Sequence, residues 1–369
     1  MAFKALDPED FIVSSDSVTS TVWSNNSPSL NTFFSSSTQK EGSSGPYYLN
    51  VYQTASSDDT AAIQFQIAYA NKNGGGGVNF DSSVPFVSST TTIYGQYRTL
   101  ILEDENASFV WGDTFTGSAD NDFYAISIER ARYKQSLLPG TINLTLSSSR
   151  TDLAYNQIHL TDNSGMVTLP TYYGTQRVYQ MISGSDGVAY NASSGGTGFT
   201  PGSGSYGWFC PDISTILLNA AALSGSTTGD GGIQLATNPT TNTAADNPSV
   251  LYRSISGSDG VGGNIFELNS QETITSDYVF IRARNNEFNY TENPSFISGS
   301  TGEVIYNYFI NNPQTFPTTV GLYNDSNDLL AVAKLSKPIQ KDFTKEALVR
   351  VKLDFENEWA LTNNSTHRI

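Results

Sequence analysis

The sequence predicts an all-β dominated fold, built of antiparallel β-sandwich-like domains with long polar loops and few short helices. Two compositional facts and one pattern predict it. Charged residues are 15% of the 369, against about a quarter in ordinary soluble domains, so the Glu, Lys and Arg that coat surface helices are scarce. Tyr and Phe, at 20 each, accompany many Ser, Thr and Asn residues, which suit exposed β faces and turns. Short apolar stretches of period two recur between Gly- and Ser-rich loops. A single core stops growing at about 250 to 300 residues, so two or more compact units are expected.

Residues 1–45 read as an extended N-terminal arm, polar with scattered anchors such as Trp23 and Phe33. Such a segment has too little apolar content for a core of its own. Residues 46–143 and 265–355 are expected to form a main, discontinuous β domain, with 144–264 inserted as a second β-rich domain and 356–369 as a tail. Within the first part, 47–53 and 62–69 alternate as half-buried strands do, placing Ile63, Phe65, Ile67 and Tyr69 on one face. Asn73 and the four glycines after it have no Gly-Lys-Ser or Gly-Lys-Thr ending, which excludes a phosphate loop there. Residues 92–102 and 123–130 continue the β pattern, until Leu138-Pro139-Gly140 breaks it.

In the inserted part, polar loops at 191–205 and 224–247 separate short strands. Residues 212–223 are one of the few stretches expected to be helical, with Asp212 as cap and Gly225 as stop. Strand patterns resume at 278–284, 304–309 and 319–323, and 342–355 is expected to end the fold as a strand or short helix against a neighbour. The heptapeptide Ile-Ser-Gly-Ser-Asp-Gly-Val occurs at 182–188 and 255–261, and Ile-Ser-Gly-Ser-Thr-Gly-Glu follows at 297–303. Ser, Asp and Gly supply the positive backbone angles of tight hairpins, so each copy is expected to be a turn. Their unequal spacing argues against a repeat array.

The formal charge is −16 and the pI near 4.4, which repels a phosphate backbone and excludes nucleic acid as the expected partner. No apolar run approaches the roughly 20 residues that span a bilayer, and the first residues lack the apolar centre of a signal peptide. Synthesis in the cytoplasm and no membrane partner are the expectations. The lone Cys210, between Trp208-Phe209 and Pro211, is expected to be a buried, inert thiol. With two histidines, His159 and His367, neither a multi-histidine metal site nor a histidine-assisted nucleophile has its usual parts. No catalytic residue, cofactor or metal is expected. The acidic runs 103–105 and 324–328 lack the oxygen spacing of a calcium loop and read as solvated loops.

Positive charge is concentrated. Arg130, Arg132 and Lys134 form one row, Arg282 and Arg284 another, and Lys334 opens a basic stretch that runs to Lys352. On a strand, residues two apart share a face, so such rows would meet an acidic patch on a neighbour. With Trp23 and Phe33 as apolar anchors, these are the candidate interface residues.

Three stretches carry a resemblance: 123–144, with Phe-Tyr-Ala-Ile-Ser-Ile-Glu-Arg-Ala-Arg-Tyr-Lys and Leu-Leu-Pro-Gly-Thr-Ile-Asn-Leu; 276–290; and 320–338. They resemble virion structural proteins of contractile-tailed marine cyanophages, over most of the chain. The resemblance implies a non-enzymatic particle component, tail or baseplate associated, whose partners are other virion proteins in an oligomeric assembly. A fibre component that binds a host-surface receptor or glycan is the alternative function, and a capsid or neck decoration or connector protein the alternative location. The family has no catalytic motif to transfer.

Overall fold

The computed structural model is mostly β, with 43% of the described residues in strands and 15% in helices, in large antiparallel sheets with few short helices. It describes residues 4–35, 48–77, 84, 87–111, 121–147, 157–189, 205–223, 247–257, 264–291 and 293–355. The loops expected at 191–205 and 224–247 fall almost wholly outside these, as do the expected tail 356–369 and His367. The chain divides into two compact units, Val18–Glu272 and Met1–Ser17 with Thr273–Ile369.

The larger unit is one long antiparallel sheet. Its strands run in the order Ser29–Leu30, Phe266–Glu267, Asn143–Ser147, Gln157–Asp162, Gln176–Ser185, Gly207–Cys210, Thr215–Asn219, Asp122–Ile128, Ile63–Asn71, Tyr48–Tyr52 and Phe34–Ser35. The expected strands at 47–53, 62–69 and 123–130 are thus present. Residues of 46–143 and of 144–264 interleave in this sheet, because Thr215–Asn219 pairs with Asp122–Ile128 over its full length. Phe65 and Phe266 lie in strands far apart in that order, yet their rings meet at 5.3 Å, and Trp23 packs on Phe266 at 4.9 Å. Opposite stretches of the sheet therefore face each other across one core, in the manner of a sandwich.

Alternation sends Tyr124, Ile126, Ile128, Ile216 and Leu218 into this core. Phe123, Ala125, Leu217, Trp208 and Cys210 point to the other face, where Tyr94, Ile101, Phe109 and Trp111 cover them. Burial on both faces explains why the central strands read as nearly continuous apolar runs.

Two expectations fail here. Residues 92–102 are not a strand: Ser89–Tyr97 is an α-helix, capped by the Ser88 side chain accepting from the Thr91 amide, and a wider helical turn continues over Arg98–Leu102. Helical spacing brings Tyr94 and Tyr97 to Phe123, with ring centroids 5.4 and 5.9 Å apart. This packing outweighs the β preference of Thr, Ile and Tyr. Residues 212–223 are not one helix either. Thr215–Asn219 is a strand slotted between two others, and only Ala220–Leu223 is helical. Asn219 Oδ1, rather than Asp212, caps that turn by accepting from the Ala221 and Ala222 amides.

The heptapeptide copies diverge. The first is a hairpin turn, with Ser185 paired to Val188 and positive φ at Asp186 and Gly187, as a two-residue type I′ turn requires. The second begins inside the helix Asn247–Ser256, where Ile255 is buried in the core, so the hairpin expectation fails for its first residues. The rest of that copy lies mostly outside the described residues. The third closes a loop by a bridge between Ile297 and Val304.

In the smaller unit the strand Asn269–Ala283 pairs from Thr275 onward with Ala347–Phe355, which fills the strand expected at 342–355 with a partner from its own chain. Thr319–Tyr323 and Leu329–Lys334 form a separate two-stranded hairpin. Its turn is the 324–328 run, closed by Asn324 Oδ1 accepting from the Asp328 amide at 2.7 Å. The strand expected at 304–309 is instead a short helix, Asn307–Asn311, which turns Phe309 inward onto Phe296 at 5.6 Å. Lys341, fully buried, donates to Asn285 O, Asn289 Oδ1 and Asp342 O and ties these loops together.

The expected N-terminal arm is tied down over much of its length. Phe11–Thr21 is a strand in sheet order next to Asn269–Ala283, and Val22, Trp23 and Leu30 enter the core.

Candidate docking surface

The eight candidate interface residues do not form one site. Trp23 is 2% exposed, its Nε1 donating to Pro28 O at 2.9 Å. It is a core residue, and its expected interface role is withdrawn: an aromatic in a polar segment has no periodicity to show which way it faces. Phe33 packs, half-buried, against the same core, and its carbonyl accepts from Tyr252 Oη.

Arg130 and Arg132 are not on a strand, since Arg130–Arg132 is a 3₁₀ turn, so the expected row with Lys134 does not exist. Arg130 folds back onto the Tyr133 ring at 4.7 Å and donates to Tyr133 O. Lys134 pairs with Glu272 at 3.6 Å. Cys210 is buried, and desolvation pushes its thiol well above its ordinary range, as an inert thiol requires. His159 sits in the strand Gln157–Asp162 with its Nδ1 3.1 Å from Thr145 Oγ1. No group of three or more His, Cys, Asp or Glu among the described residues is placed to hold a metal ion.

The smaller unit is different in kind. Its pairing register sets Arg282 opposite Leu348, Phe280 opposite Arg350, Tyr278 opposite Lys352 and Ser276 opposite Asp354. Directly opposed residues share a face. Ala347, Val349, Val351 and Leu353 therefore turn inward, while Leu348, Arg350 and Lys352 stand out on the other side together with Arg282. Leu348 is 58% exposed there.

On this outer face Arg350 and Lys352 lie over the Tyr278 ring, at 5.4 and 5.9 Å from its centroid. Lys352 also pairs with Asp354 at 2.8 Å. That ammonium and the Ser276 hydroxyl hold the Asp354 carboxyl below the usual carboxylate range. Arg282 and Arg350 form no ion pair with a described residue. Arg284 lies just past the strand, its amide donating to Glu287 Oε2 at 2.8 Å.

Lys334 ends the hairpin strand Leu329–Lys334, which is apolar and open: Leu330 is 67% and Val332 59% exposed. Leu329, Leu330, Val332 and Leu348 were missed as site residues, and Arg350 and Lys352 were noted only as part of the basic stretch that Lys334 opens. Arg350 and Lys352 carried a usable signal, since with Leu348 they alternate at the same period as Arg282 and Arg284.

No protein-family model matches the chain, and comparison with curated proteins and with solved structures found no match.

Proposed function

We propose that this chain is a non-enzymatic structural subunit of a bacteriophage virion, in the tail, baseplate or fibre-attachment region, that acts by docking onto other virion proteins. The observation that carries the docking reading is the apolar imbalance of the smaller unit. Among its described residues only Val279, Phe309, Ala347 and Val351 are buried apolar side chains. Phe11, Ile12, Val13, Tyr308, Ile310, Phe316, Leu330 and Val332 stand exposed in the same unit. A two-stranded hairpin is marginal alone in water, and clustered exposed apolar side chains mark contact surfaces. Permanent assemblies supply the missing burial across their interfaces. The phage address rests on the resemblance carried by 123–144, 276–290 and 320–338.

The test is to label intact particles with a specific antibody and image them. Label at the tail tip supports this reading and directs attention to host contact. Label on the head or collar moves the protein to a decoration or connector role, and particles that take no label, with no chain detectable by mass spectrometry, sink it.

A further inference from the structure

We propose that the outer face of the strand pair Asn269–Ala283 and Ala347–Phe355 docks a second copy of this chain, taking the acidic surface of that copy's Val18–Glu272 unit. The inference rests on the docking reading above and names the partner and the face. Arg282, Arg350 and Lys352 stand there between Tyr278, Phe280 and Leu348. Arg and Tyr are enriched in interface cores because they combine apolar area with a polar tip. Among the described residues, Asp354 is engaged by Lys352, and Asp16 also bears on Lys352. Arg282 and Arg350 are left for an external anion.

The chain itself offers that anion. It holds 35 Asp and Glu against 19 Lys and Arg, and six of the basic residues crowd between Lys334 and Lys352. The remainder is correspondingly acidic, with Glu103, Asp104 and Glu105 exposed in the larger unit. A basic face on one copy and an acidic surface on the next are complementary, and the contact is head-to-tail. Such a contact leaves the basic face of one end copy and the acidic surface of the other free, so it propagates into a ring or stack. Arg and Lys on the strand Ala347–Phe355 also oppose edge-to-edge strand pairing, so the partner meets the face rather than the edge.

The experiment uses the full chain and follows its mass by light scattering and sedimentation across concentration and salt. Association at low salt is expected, weakened about tenfold or more by the double reversal Arg350→Glu with Lys352→Glu, and by about 0.5 M NaCl. Arg350→Lys keeps the charge and should retain association, and circular dichroism of each variant checks that the fold is intact. A chain that stays monomeric at every concentration and salt, or an association that the reversal leaves unchanged, overturns the proposal. So does tight binding of a fluorescent oligothymidylate that the reversal abolishes, which would assign the face to single-stranded nucleic acid. Presence in particles with none of this self-association would overturn the second copy as partner and leave the virion reading standing.

Discussion

Asp122 and Asp162 show how one residue type does different work at two depths of the same sheet. Burial pushes both carboxyls above the usual range. Asp122 has one strong partner, Tyr69 Oη, which donates to its Oδ2 at 2.7 Å. Asp162 is fully buried, and its two oxygens accept from separate backbone amides, Gly140 at 2.7 Å and Ser164 at 2.8 Å. A carboxyl whose native pKa is raised contributes stability that is fully present below the unfolded value of about 3.9 and is lost as pH rises through the native value. Asp122→Asn removes that loss and keeps an oxygen for Tyr69. Its melting temperature at pH 7 should therefore equal or exceed that of the unsubstituted protein, and its stability should decline less between pH 4 and 7. Asp162→Asn relieves the same burial cost but turns an amide donor onto a backbone N–H, and should lose about 2 kcal/mol at pH 7. Thermal melts of both variants across that range decide the matter, and equal losses at pH 7 would show that burial alone sets both sites.

At the scale of elements, the strand Thr215–Asn219 depends on a glycine in its neighbour. Gly207 sits opposite Leu218 with φ of 146°. A Cβ there would collide with the carbonyl oxygen of Leu217. Gly207→Ala should therefore prevent that pairing and cost more than about 3 kcal/mol, since neither the backbone angle nor the space is available. A soluble variant with an unshifted denaturation midpoint would show that the pairing yields easily. The same strand marks the limit of what the sequence discloses. Strands at 48–52 and 63–71 were legible because inward and outward residues differ in polarity along much of their length. Thr-Ile-Leu-Leu-Asn was not, because burial on both faces erases the alternation and leaves an apolar run that suits a helix equally well. The helix at Ser89–Tyr97 was hidden for the opposite reason: its Thr, Ile and Tyr prefer strands, and the contact with Phe123 that fixes it is distant in sequence. Of the candidate site, Arg282 was legible from spacing. Trp23 was misassigned because only the fold shows that it lies between Phe65 and Phe266.

The molecule as a whole is unevenly built. The continuous core that unites Trp23, Phe65, Phe266 and the helix Asn247–Ser256 belongs to the larger unit, whereas among the described residues of the smaller one the buried apolar side chains are Val279, Phe309, Ala347 and Val351. Apolar burial dominates folding stability, so the two units should not share one unfolding transition. Calorimetry of the full chain should show a minor transition at lower temperature and a major one above it. Leu217→Ala empties a buried position in the larger unit and should lower the upper transition, by an amount corresponding to about 2 to 5 kcal/mol. Val351→Ala should move only the lower one. A single transition displaced equally by both substitutions would mean that the smaller unit gains its stability within the chain, and the case for an external partner to complete it would be lost. Two separable transitions, with the lower one rising as protein concentration increases, would tie the stability of the smaller unit directly to its docking.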